Sequence, residues 1–96
     1  MSQTKKVVFV AKEGHIDTLK SLLTDMVKPS QAEKGCLLYH IYQKQEQPNT
    51  FVVIETWESD EALEGHKNSE HYKYYKSHFE PYTAEKYSEA LVELGV

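Results

Sequence analysis

The sequence predicts an α+β fold, with a four-stranded antiparallel sheet carrying helices on one of its faces. Three observations predict it. Runs rich in β-branched and aromatic residues recur at Val7–Ala11, Cys36–Lys44 and Phe51–Ser59. The segment between the first two carries an apolar stripe of helical period, and Ser59 and Ser69 stand where two further helices would need caps. At 96 residues the chain suits one core, so a single domain over residues 1–96 is expected.

Each element has its own signal. Val7–Ala11, "VVFVA", is a short apolar run that Glu13-Gly14 ends, which predicts a buried strand. Ile16, Leu19, Leu22, Leu23, Met26 and Val27 then share one face of a helix from about His15 to Lys28. Pro29 should end or kink it, because proline lacks the amide proton and restricts the residue before it. "CLLYHIYQK" and "FVVIETWES", joined by the turn-like "EQPNT", predict an antiparallel hairpin. Ser59 or Asp60 can cap the helix that includes "EALEGH", and Ser69 a second one from Glu70 to about Phe79, which Pro81 closes. In the tail "AEKYSEALVELGV", "ALVEL" suits a last strand, although its composition also permits a helix. The order strand, helix, strand, strand, helix, strand is the ferredoxin-like βαββαβ plan.

Both faces of the hairpin strands are apolar: Leu37, Tyr39 and Ile41 alternate with Cys36, Leu38, His40 and Tyr42, and Val52 and Ile54 alternate with Phe51, Val53 and Trp57. Helices can cover only one face. The other is expected to meet a second copy of the chain, giving a homodimer through the sheets.

Composition narrows the function classes. The 11 lysines against 15 acidic residues give a net charge of -4, with no basic cluster to follow a phosphate backbone, so no nucleic-acid partner is expected. There is no arginine, which leaves only lysines to hold a carboxylate or phosphate. One cysteine, Cys36, cannot form an internal disulfide, and the N-terminal apolar run is too short for a signal core or a membrane span. A cytoplasmic, soluble protein without a membrane partner is the expectation.

The chain resembles the antibiotic biosynthesis monooxygenase family. The likeness runs from "VFVAKEG" through "EKGCLLYHIYQ" to "FVVIETWESDEALEGHKNSEHYK", and its most specific part is Glu55, Trp57, His66, Ser69 and His71 in the pattern E-x-W-x8-H-x-x-S-x-H. The resemblance implies small ferredoxin-like dimers with a pocket between helices and sheet. In many members it also implies oxidation of quinols or polyphenols by O2 with no metal or flavin, so no cofactor is expected. Members that degrade heme are poorly matched, since the tryptophan of that pattern falls on His66 and the iron-ligating histidine on or near Lys76. Members that isomerise a phosphorylated sugar-derived signal are closer in "HKNSEHYK".

The candidate catalytic residues are His66, Glu55 and His71. An imidazole with a pKa of about 6.5 exists neutral near physiological pH and so can take a proton from a phenol. Glu55 and Trp57 share a face with Phe51 and Val53, and a carboxylate on an apolar face needs a partner. His66 or His71 is the expected one, with Glu55 orienting the imidazole. Trp57, Phe51, Tyr39 and Tyr72 are the candidate ring-binding residues. Tyr39 and His40 lie on opposite faces of their strand, so one at most lines the helix-side pocket. His66, His71 and His78 fit no common metal spacing, and no metal is assigned. The expected substrates are a small aromatic and O2. The alternatives are an isomerase acting on a phosphorylated keto-sugar and a dimer that binds a ligand without chemistry.

Overall fold

The computed structural model describes residues 1–96. Its elements are β1 (Gln3–Ala11), α1 (Ile16–Thr24), α2 (Val27–Gln31), β2 (Cys36–Gln43), β3 (Thr50–Trp57), α3 (Asp60–Lys67), α4 (Glu70–His78) and β4 (Thr83–Leu91), with a 3-10 turn at Glu80–Tyr82. The strands form one sheet in the order β2-β3-β1-β4, with every neighbouring pair antiparallel. This is the ferredoxin-like arrangement that the element order predicts.

The helical stripe is real, but it is divided. Helix α1 stops at Thr24, and α2 restarts at Val27. Pro29 explains the break: inside one continuous helix its ring would clash with the Asp25 carbonyl and offer that carbonyl no N–H. As the third residue of α2, Pro29 sits where an N–H has no helical partner in any case. The predicted caps form, with Ser59 Oγ accepting from the Ala62 amide at 3.1 Å and Ser69 Oγ from the Tyr72 amide at 3.2 Å. The ambiguous tail is a strand as far as Leu91, paired along β1 from Thr4↔Leu91 to Ala11↔Thr83.

The core lies between sheet and helices. Leu19, Leu22, Leu23 and Met26 descend onto Phe9, Phe51, Val53 and Trp57, while Tyr75 of α4 and Phe79 just after it meet Phe9 edge-on. A register shift between Cys36 and Leu38 puts an extra residue into β2. It lets Cys36 as well as Tyr39 pack with the core and leaves Leu37 60% exposed, so simple alternation fails at that end of the strand. Beyond the shift parity holds, with Tyr39 buried and His40 exposed.

Gly35, just before β2, has φ +88° and faces α3 so closely that a Cβ would stand 2.6 Å from that of Ala62. No other residue fits there without displacing the helix. On the far side of the sheet Tyr42 is exposed beside Val52 and Tyr87 beside Val8, which keeps an apolar outer surface. No helix is long and apolar enough to cross a membrane.

Candidate active site

The helix-side face of the sheet does not close completely. A cavity of about 80 Å³ remains between β1, β3, β4 and the helices, walled by Val7, Val53, Leu63, Tyr39, Tyr72 and Tyr75. His66 and Glu55 also line it, and three lysines, Lys5, Lys67 and Lys86, stand around it.

His66 is placed by the end of α3, where the chain breaks at Asn68-Ser69 and turns the imidazole inward, leaving it 2% exposed. Its ring stacks on Trp57, with centroids 4.4 Å apart and a 30° tilt, and meets Tyr72 edge-on at 5.1 Å. Glu33 Oε2 lies 2.6 Å from its Nδ1 and 2.8 Å from Nε2 of His71. One carboxylate oxygen therefore bridges two imidazoles.

The tautomers follow from Ser69. Its hydroxyl donates to the His66 carbonyl at 2.6 Å, so its oxygen can only accept in the 3.2 Å contact with His71 Nε2. His71 is thus the Nε2–H tautomer and also donates to Glu33. Glu33 as a carboxylate only accepts, so His66 donates through Nδ1–H. The lone pair of His66 is then on Nε2, which no protein group takes.

Glu55 does not have the partner that the sequence suggests. It accepts a 2.8 Å hydrogen bond from the Trp57 indole Nε1 and is 7% exposed, whereas Glu33 holds both histidines. The reason is strand geometry: the two-residue spacing on β3 puts Glu55 and Trp57 on one face within reach of each other. Glu33 comes from the loop before β2, where no periodicity marks it. Its only cue is an acidic residue two positions before a left-handed glycine.

Of the other candidates, Tyr39 and Tyr72 line the cavity, Phe51 is wholly within the core and Trp57 lies under His66. His71 sits on the solvent side of Glu33 at 21% exposure. His78 is apart, stacked on Tyr74 and bonded to its carbonyl at 2.7 Å.

The tyrosines are not bases. Burial, reinforced by the charge of Glu55, pushes the Tyr39 and Tyr72 phenols above their ordinary range, and burial does the same to Tyr75. They stay protonated and offer ring faces and O–H donors. Lys86 reaches over the rings of Phe9, Tyr75 and Phe79 at 5.6, 5.5 and 4.8 Å. Burial, and then the neighbouring Lys76, push its ammonium down to about 8.

Fold and site together define a small α+β protein with a ring-lined cavity and one inward-facing imidazole held by a carboxylate. Residues 5–77 match the antibiotic biosynthesis monooxygenase family, and the chain belongs to it. It is 32% identical over 69 residues to a Mycobacterium tuberculosis protein named "Putative monooxygenase Rv0793", covering 72% of this chain and 67% of that one. The structure of Rv0793 superposes with a TM-score of 0.92 at 25% identity, covering 100% of this chain and 98% of that one. PA3566 from Pseudomonas aeruginosa superposes at 0.94, with 33% identity over 98% of this chain and 95% of that one.

Proposed function

We propose that the protein is a cofactor-independent monooxygenase that oxidises a small quinol or polyphenol with O2. The observation that carries this is the His66 imidazole, which lines the ring-walled cavity with Nδ1 fixed by Glu33 at 2.6 Å and Nε2 free to take a proton.

In this reading Nε2 removes a phenolic proton, and the new imidazolium is stabilised by the Glu33 carboxylate and by the Trp57 ring beneath it. The phenolate gives one electron to O2, the phenoxyl radical and superoxide combine at a ring carbon, and the His66 imidazolium returns its proton to the peroxide. Loss of water then leaves one oxygen atom on the quinone and the other in the water. At about 80 Å³ the cavity is well below the roughly 300–1,000 Å³ of drug-sized sites, so a one- or two-ring substrate is favoured. Even that substrate requires the flexible lysines around it to swing aside. Tyr39 and Tyr72 wall the ring, and Glu55, tied to Trp57, keeps the stacking residue in place.

Turnover under ¹⁸O2 tests the reaction: one labelled atom in the product and one in water supports it. Product that forms equally under nitrogen contradicts it.

A second reading rests on Lys5, Lys67 and Lys86, which line the same cavity and favour a ligand with an anionic group. It is isomerisation of a phosphorylated keto-sugar, with His66 shuttling a proton and no O2 consumed. Saturable binding without turnover in either assay would leave a ligand-binding role. All of these readings include a homodimer, supported by the exposed tyrosines of the outer sheet face.

A further inference from the structure

We propose that Glu33, His66 and His71 form a binding site for one divalent cation of the zinc class, and that filling this site silences His66 as a base. The second half rests on the function proposed above; the first does not.

The donor atoms are already assembled. His66 Nδ1, His71 Nε2 and a Glu33 carboxylate oxygen all lie within 4.8 Å of one another. Two of the separations, 2.6 and 2.8 Å, are those of N–H···O bonds. A tetrahedral zinc with bonds of about 2.05 Å wants its ligands roughly 3.3 Å apart, so the donors need to part by only about 0.5 to 0.7 Å along these two edges. Two imidazoles and one carboxylate is also a donor set that binds zinc with a fourth position left open. It suits other borderline first-row cations less tightly than zinc or copper.

A way in exists on the side away from the cavity. Glu33 lines a second, open groove together with Glu58 and Glu61, where three carboxylates face a single lysine, Lys34. That excess of negative charge concentrates cations at the mouth. His71 is 21% and Glu33 16% exposed, so both can be met from solvent, while the 2% exposed His66 is reached last, behind them. The groove and the cavity share no lining residue, and the Glu33–His66 contact joins them.

Occupancy would change His66 in a defined way. The cation takes the Nδ1 lone pair, and the proton on Nδ1 moves to Nε2. The cavity side of the ring then carries an N–H in place of a lone pair. His71 makes the matching exchange, with Nε2 on the cation and its proton on Nδ1. No net proton is lost, but the acceptor facing the substrate is gone. Sequence spacing does not show this site because its carboxylate lies 33 residues before His66.

The test titrates metal-free protein with Co2+, followed by its visible absorption and by competition with Zn2+. One Co2+ per chain is expected, displaced by Zn2+, at least tenfold weaker in both His71→Ala and Glu33→Gln and unchanged in His78→Ala. Circular dichroism checks that each variant is folded. ¹⁵N NMR of the histidine rings reads the second half directly: Zn2+ should convert His66 Nε2 from a lone-pair nitrogen to an N–H nitrogen. Zn2+ should also slow oxygen uptake along the same saturation curve, reversed by chelator. Absence of saturable Co2+ binding, or binding that survives in both variants, overturns the site. Binding with His66 Nε2 unchanged overturns the silencing. Metal-free protein that consumes no oxygen with any quinol counts against the monooxygenase reading, while the Co2+ and NMR results still decide this one.

Discussion

Glu33 Oε2 stands 2.6 Å from Nδ1 of His66, across 33 residues of sequence, and this contact leaves Nε2 as the unbonded nitrogen of the imidazole. Glu33→Gln keeps the shape and an oxygen acceptor but removes the charge that offsets the imidazolium. A fall in kcat on the order of 10–100-fold with KM little changed is expected. Steady-state kinetics decides it: a raised KM at unchanged kcat would mean that Glu33 only shapes the pocket.

Trp57 and Glu55 form a closed pair, 0% and 7% exposed, joined by one 2.8 Å bond. Trp57→Phe keeps a ring under His66 but leaves a buried carboxylate without its donor, and should destabilise the protein by about 1–3 kcal/mol. Adding Glu55→Gln should recover part of that loss. Denaturant unfolding of the three variants checks this, and strictly additive effects would show that the two side chains are independent.

Lys86 gives a pH signature. Its ammonium is held at about 8, below its ordinary 10.5, chiefly by burial and then by Lys76. The faces of Phe9, Tyr75 and Phe79 offset part of that desolvation. Between these two values the unfolded chain binds more protons, so this lysine's contribution to stability rises with pH and is lost as pH falls through 8. Lys86→Met should therefore melt above wild type at pH 7, with the gap narrowing towards pH 10. A gap independent of pH, or of opposite sign, contradicts it.

The outer sheet face carries Tyr42 at 57% and Tyr87 at 49% exposure. If a second copy covers it, sedimentation should give a dimer, and Tyr42→Asp with Tyr87→Asp should give a folded monomer. A wild-type monomer at micromolar concentration would refute the packing of two sheets.

The fold was legible because its signals are local. Period and capping alone placed α3 and α4, and Ser59 and Ser69 cap as their positions suggest. The division at Pro29 and the extra residue in β2 were less so. A proline inside an apolar stripe shows that a helix must change but not where it restarts, and a bulge leaves no mark on composition. At the site, one cavity brings together His66, Glu55, Tyr39 and Tyr72, which the sequence singles out, but the sequence does not show the partner of His66. Two residues on one strand can be paired by parity, which is why Glu55 stands out in the sequence. Glu33 reaches the histidines only because Gly35 brings the loop before β2 against α3, and that closeness is a tertiary fact.

In the proposed reaction His66, with its free Nε2, is the base that starts oxygen chemistry on a phenol. Oxygen uptake with a panel of reduced naphthoquinols and anthrones after chelation, wild type beside His66→Ala and with non-enzymic oxidation subtracted, tests this role. Uptake above background that falls on the order of 10²-fold or more in His66→Ala is the predicted result. Uptake equal in the two proteins would rule out His66 as that base.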